Sequence, residues 1–152
     1  MMTQRTNPKR KRPVNNIVVH CTGTKASASV ESIRSYHKNS LGWKNPGYHF
    51  IIKANGEIVQ LLDIEKIANG VKGHNSDAIH IAYIGGISKT GRSVDTRTPA
   101  QIESLFNLII EFAVRYPKAK ILGHRDFKGV SKTCPNFDVK SWLSSYIPNI
   151  EK

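Results

Sequence analysis

Cysteine is scarce in this 152-residue chain: there are two, Cys21 and Cys134, far apart in sequence. That excludes a disulfide-dense scaffold. Two free thiols or a metal ligand are expected ahead of a single Cys21–Cys134 bridge. Long apolar runs are missing as well. None approaches the ~20 residues that span a bilayer, so no membrane-spanning helix is expected. The opening "MMTQRTNPKRKRP" carries charge with no apolar stretch behind it, which does not fit a secretory signal. No internal repeat or later linker divides the chain, and its length suits one domain. Acidic residues are few, 11 against 23 Lys and Arg, giving a formal net charge of +12. Such a charge favours a polyanion (nucleic acid, an anionic polymer or a membrane surface) without choosing among them.

What is present is enough for a core. Apolar residues make up 39% of the chain, which suits a globular domain without staples. Residues 1–14 read as a flexible basic arm, with Arg5, Lys9, Arg10, Lys11 and Arg12 and no acid in its first 13 positions. Residues 15–152 read as one unit. "NIVVHCT" is a short β-branched run and predicts a buried strand. "SVESIRSYHKNSLG" predicts a helix capped by Ser29, with Val30, Ile33, Tyr36 and His37 on one face and Gly42 ending it. "YHFIIKANGEIVQLL" predicts a hairpin about Asn55-Gly56, both at positive φ. "AIHIAYIGG" is a further strand. "TPAQIESLFNLIIEFAVRYP" is the clearest helix, with Thr98 as cap, Pro99 in the first turn and Gln101 closing a capping box. "AKILGH" predicts a strand and "DVKSWLSSYI" a last helix. The order β-α-β-β-β-α-β-α predicts an α/β domain, a central mixed sheet flanked by helices.

Two of these strands end in histidine, His20 and His124, and Cys134 lies in the loop after the second. Sites in α/β sheets gather at strand ends. Two His and one Cys suit zinc, and three protein ligands leave a fourth tetrahedral position open, the catalytic rather than the structural arrangement. Spacing alone does not bring them together, and each taken singly is more often a packed or hydrogen-bonded structural residue than a ligand. Cys21 follows His20 directly, so strand alternation sends it to the opposite face, into the core.

The segments "IVVHCTGTKAS", "IRSYHKNSLGWKNPGYHFIIKANGEI", "IAYIGGISKTGR", "TPAQIESL", "GHRDF" and "KTCPNFDVKSW" occur in an order and with gaps that resemble the zinc-dependent N-acetylmuramoyl-L-alanine amidases of the type-2 amidase and peptidoglycan-recognition family. The resemblance runs from about Asn15 to the end. It implies that family's fold and one Zn2+ held by His20, His124 and Cys134. It implies Tyr48 and Lys132 as catalytic residues, and peptidoglycan as substrate, cut at the amide between N-acetylmuramic acid and L-alanine. The stretch between His124 and Cys134 is slightly longer than in phage-type members, so a larger loop is expected there. Lys132 is a cation placed to stabilise a tetrahedral oxyanion. Tyr48 would bond the same oxygen or orient water.

His74, in the loop "GVKGHNSD", is expected to line the substrate groove. His49 should point away from Tyr48, into the core or behind the site. His37 reads as packing and His80 as structural. A ligating His usually donates its second N–H to a carboxylate or carbonyl. Asp126 is a candidate for that role, or for a pair with Arg125 or Arg97.

Two other readings compete. A peptidoglycan-binding module without catalysis is disfavoured, because such relatives generally lack the cysteine. A polymerase- or nucleic-acid-binding regulator would rest on the basic arm, which supplies only salt-sensitive, sequence-independent attachment, and no aromatic-studded basic face or helix-turn-helix accompanies it. The arm could equally hold an anionic wall polymer. The resemblance and the unsignalled N-terminus together imply a phage or prophage endolysin, monomeric, kept in the host cytoplasm until released to the periplasm and wall.

Overall fold

A computed structural model of the chain describes residues 11–146. Five strands form one sheet: β1 (Asn16–Cys21), β2 (Phe50–Ile52), β3 (Ile58–Gln60), β4 (Ala78–Tyr83) and β5 (Lys120–Gly123). Their spatial order is β3-β2-β4-β1-β5. β2, β4, β1 and β5 run parallel, and β3 adds antiparallel to β2. The expected mixed sheet is therefore present, and its central strands β1 and β4 are the buried ones, covered on both faces.

Three helices are α1 (Val30–Ser35), α2 (Pro99–Arg115) and α3 (Val139–Tyr146). One sheet face presents Ile17, Val19, Cys21, Ile79, Ile81 and Tyr83 to Leu105, Ile109 and Phe112 of α2 and Val139 and Leu143 of α3. Each such aliphatic burial contributes roughly 1.5–3 kcal/mol. α2 starts as its sequence predicts. The Thr98 hydroxyl accepts from the Gln101 amide, and the Gln101 side-chain carbonyl accepts from the Thr98 N–H. Gln101 is itself buried, and its Nε2 donates to the Ile52 and Ile84 carbonyls at 3.1 Å each. One side chain thus caps a helix and ties the ends of β2 and β4 together.

The opposite face carries two apolar clusters, one of Ile51, Ala82 and Ile84 with Val30 and Ile33 of α1, the other of Val18 and Ala78 with Val71 and Phe127. The same face carries His20 and His80, both buried.

Three local expectations change. In the hairpin only Gly56 takes positive φ. Gly56 donates to the Lys53 carbonyl and the Lys53 N–H donates to that of Glu57, so the loop is a turn with a bulge rather than a two-residue primed turn. Tyr36 is 55% exposed while His37 is buried. At ~100° per residue Tyr36 falls at the edge of the stripe of Val30, Ile33 and His37, where it lines a groove, and a π-helical turn follows over Tyr36–Ser40, with the Leu41 amide reaching back to the Tyr36 carbonyl. That turn follows Tyr36 and does not displace it: the Tyr36 amide still bonds back to the Ser32 carbonyl in α geometry. Finally, residues 1–10 of the expected arm lie outside the described residues, but Arg12 is docked. Its amide donates to Glu65 Oε1 at 2.7 Å, and its guanidinium donates to the carbonyls of Ile64 and Ser76.

Candidate metal centre and groove

Sheet register assembles the first two candidate ligands. β1 and β5 are parallel with Val19 opposite Gly123, so the next residue of each, His20 and His124, emerges at the same end of the sheet. Their rings sit 4.9 Å apart, edge to face. Cys134 is brought back to them by the loop. The Arg125 amide donates to the Cys134 carbonyl at 2.8 Å. Gly123 leaves room for Pro135, whose Cδ would lie 2.8 Å from any Cβ placed there. The Cys134 Sγ accepts the Cys21 N–H at 3.2 Å. Both cysteines are free thiols.

The ligand atoms of His20, His124 and Cys134 lie within 4.8 Å of one another, with His20 Nδ1 4.0 Å from Cys134 Sγ. A tetrahedral zinc with bonds of ~2.1 Å to nitrogen and ~2.3 Å to sulfur sets its ligand atoms roughly 3.5 Å apart. The donor set and its spacing therefore fit such an ion after a small contraction. Burial, followed by the neighbouring His80 and His124, holds the His20 imidazole well below its usual pKa. Burial and then Lys132 lower that of His124. Both are neutral near pH 7, as ligation requires. The hydrogen bond with Cys21 and burial push the Cys134 thiol up, and a bound cation would reverse that by taking the thiolate.

The three residues line a groove of about 730 Å³, walled also by Tyr36, His37, Trp43, Tyr48, Asn69 and Gly70. Tyr48 and Lys132 line it too. The Tyr48 ring centroid lies 5.2 Å from that of His20 and its hydroxyl donates to the Cys21 carbonyl at 3.4 Å. Burial, then the two thiols, raises the pKa of this phenol, so it stays a proton-bearing donor. No carboxylate pairs with Lys132 among the described residues. The His37 ring lies between Trp43 and Tyr48, its Nδ1 accepting the Gly47 amide at 3.2 Å.

The structure places His74 elsewhere. It is exposed, outside the groove lining, with its ring 4.7 Å from that of Phe127. Gly73 before it takes positive φ, and the His74 amide closes a turn on the Val71 carbonyl. Asp126 is no partner of a ligand either. Its carboxylate accepts the Gly123 amide at 2.8 Å, while Arg97 pairs with Asp95 at 3.0 Å and lies over Phe137. What stands behind His20 is His80, whose Nδ1 is 2.8 Å from His20 Nε2. His80 is buried, as a structural residue would be, but it stands against a candidate ligand; its sequence signal is a histidine inside an apolar strand, two places before Ala82, the residue paired with His20. His49 is buried as expected, its Nε2 against the Lys66 carbonyl and its Nδ1 accepting the His80 amide.

Residues 10–137 match the family described as N-acetylmuramoyl-L-alanine amidase. The chain is 37% identical over 135 residues to an endolysin of Klebsiella phage KP32, covering 88% of this chain and 87% of that one. It is 36% identical over 136 residues to the endolysin of Escherichia phage T7, covering 88% of each. In structure it is similar to the endolysin N-acetylmuramoyl-L-alanine amidase LysCS from Clostridium intestinale, with a TM-score of 0.75 and 25% identity over 91% of this chain and 86% of that one. Matched over most of its length by sequence and by fold, the chain belongs to the N-acetylmuramoyl-L-alanine amidase family.

Proposed function

We propose that this protein is a phage-type endolysin that hydrolyses the amide between N-acetylmuramic acid and L-alanine in peptidoglycan, with one Zn2+ held by His20, His124 and Cys134. The observation that carries the reading is the convergence of those three donors within 4.8 Å in a groove also lined by Tyr48 and Lys132. The family match and the endolysin relatives support the same assignment.

Amides are poor electrophiles and water is a poor nucleophile. When bound, zinc supplies a Lewis acid for the carbonyl and brings the ionisation of water toward neutral pH. The remaining work falls to side chains. His20 and His124 offer neutral imidazole lone pairs because burial disfavours their protonation. The Lys132 cation stabilises the negative oxygen of the tetrahedral state. The Tyr48 hydroxyl is a donor for the same oxygen. Lys132 and Tyr48 are also the groove groups that carry a proton for the departing L-alanine amine. The groove's aromatic wall of Tyr36, Trp43 and Tyr48 provides apolar surface for the sugar and stem peptide.

The formal charge of +12 supports an added, salt-sensitive attraction to anionic wall polymer, with nucleic acid as the competing polyanion. No helix among the described residues is long and apolar enough to cross a membrane. The endolysin relatives support synthesis in the host cytoplasm followed by release to the wall, and action as a monomer is the simplest arrangement. Purified protein on purified peptidoglycan, with and without chelator, tests the main reading by mass spectrometry of the products. Stem peptides beginning with free L-alanine, lost with chelator and restored by zinc, are expected. Absence of cleavage with zinc present would replace hydrolysis by binding alone.

A further inference from the structure

His20 has two ring nitrogens with different neighbours. Nδ1 faces Cys134 Sγ at 4.0 Å and Nε2 faces His80 Nδ1 at 2.8 Å. Two ring nitrogens this close share one proton, and which ring owns it decides whether His20 can ligate through Nδ1. The neighbouring residue Asn75 settles the ownership. Its Oδ1 accepts the Val71 backbone N–H at 2.8 Å, which fixes that atom as oxygen. The same Oδ1 lies 2.8 Å from His80 Nε2. An oxygen acceptor there requires His80 to carry its proton on Nε2. Neutral His80 then presents a lone pair at Nδ1, His20 donates its Nε2–H to it, and the His20 Nδ1 lone pair faces the centre.

A second observation is independent of these bonds. Gly70 lies in the groove wall, and a Cβ on it would fall 2.2 Å from His80 Nδ1 and 2.5 Å from Cε1 and Cγ. Its φ lies outside the left-handed region. The glycine is therefore required for space and not for conformation: any side chain at position 70 would evict the His80 ring. The register agrees, since His80 is opposite Val18 in the parallel β1–β4 pair and so shares a sheet face with His20.

We infer that His80 is a positioning residue of the metal centre, resting on the zinc reading above: with Asn75 behind it and Gly70 making room, it holds His20 in the Nε2–H form that offers Nδ1 to the ion. Ligand histidines ordinarily lean on a carboxylate or a carbonyl. An imidazole in that place orients the ring without adding negative charge to the centre, so the cation's polarising power is kept. His80 touches no reacting atom and acts through His20.

The test begins with wild-type protein labelled with ¹⁵N in its histidines, zinc-free and zinc-loaded. Imidazole correlation spectra should show His20 protonated at Nε2 only and His80 protonated at Nε2 only. A His20 ring carrying its proton on Nδ1, or a doubly protonated His80, would overturn the inference whatever the variants do. Zinc affinity by competition with a chromophoric chelator follows. H80F keeps a ring and deletes the acceptor, and should weaken zinc about 10–100-fold. G70A should do the same by displacement. H80N places a carbonyl oxygen near the lost Nδ1 and should recover most of the affinity. Wild-type affinity in H80F would also overturn the inference. A wild-type protein that takes up no zinc would instead refute the metal reading, and the zinc-free spectrum would still decide the tautomer.

Discussion

The backbone amide of Arg125 donates to the carbonyl of Cys134 at 2.8 Å, clamping together the two ends of the loop that begins at one candidate ligand and finishes at another. Loop length between them then matters little, because closure is fixed at the base. With the ends so held, the ligand atoms stay within 4.8 Å of one another.

That clamp depends on Gly123. A methyl group there would stand 2.8 Å from Pro135 Cδ and 3.3 Å from Val139 Cγ2. G123A should push the Cys134–Pro135 segment away from His124 and weaken zinc by about tenfold or more, as displaced supporting groups do. C134S should go further, removing the thiolate. It is expected to lower bound zinc to a small fraction and to abolish wall lysis with the far-UV spectrum unchanged. Metal analysis after gel filtration, paired with a turbidity assay on outer-membrane-stripped cells, checks both. Full zinc content in C134S would remove Cys134 from the ligand set.

Lys132 and Tyr48 should separate binding from turnover. K132A is expected to retain zinc and lose about 10²–10³-fold in kcat, the usual effect of deleting one oxyanion donor. Y48F keeps the ring between His20 and His37 but removes the hydroxyl, so zinc content and thermal midpoint should hold while kcat falls. Steady-state rates on a soluble muropeptide decide this. Unchanged kcat in either variant would take that residue out of the mechanism.

Gln101 carries a stability prediction away from the site. Q101A would strip Thr98 of half its capping box and leave the Ile84 carbonyl without its donor, while the Ile52 carbonyl keeps the Ile84 N–H at 2.9 Å. Losing a cap costs about 1 kcal/mol, and one buried carbonyl left unpaired roughly 1–3 kcal/mol before water relieves it. A loss of about 2–4 kcal/mol is expected, seen as a lower urea midpoint at constant m-value.

Much of the fold was legible because strand and helix signals were local. Thr98, Pro99 and Gln101 announced α2, and the β-branched runs announced β1 and β4. His20 and His124 were legible as residues at strand ends. Tyr36 was misplaced because at ~100° per residue it sits at the edge of the stripe that Val30, Ile33 and His37 share, and that edge faces the groove. Asp126 was a reasonable partner by sequence distance, yet its carboxylate was nearer the amide of Gly123. His74 sat in the right loop, but the turn there aims it at Phe127. His80 and Gly70 were opaque for a different reason. The need for glycine at 70 is a clash with a ring ten residues on, and the value of His80 lies in a parallel neighbour sixty residues away; neither leaves a periodic trace.

The buried His49 gives the protein an acid limit independent of the metal ligands. Burial lowers its pKa to about 4, against ~6.5 in an unfolded chain. The unfolded state therefore binds one more proton between those values. The stabilisation is complete above about pH 6.5 and is lost as pH falls toward 4, at about 1.4 kcal/mol per pH unit for this one group. H49Q keeps an amide donor for the Lys66 carbonyl and cannot titrate. Urea unfolding from pH 7 to 4.5 should show wild-type stability falling more steeply than that of H49Q by that increment. Parallel pH profiles would mean that His49 is already protonated in the folded protein, with its Nδ1 unable to accept the His80 amide.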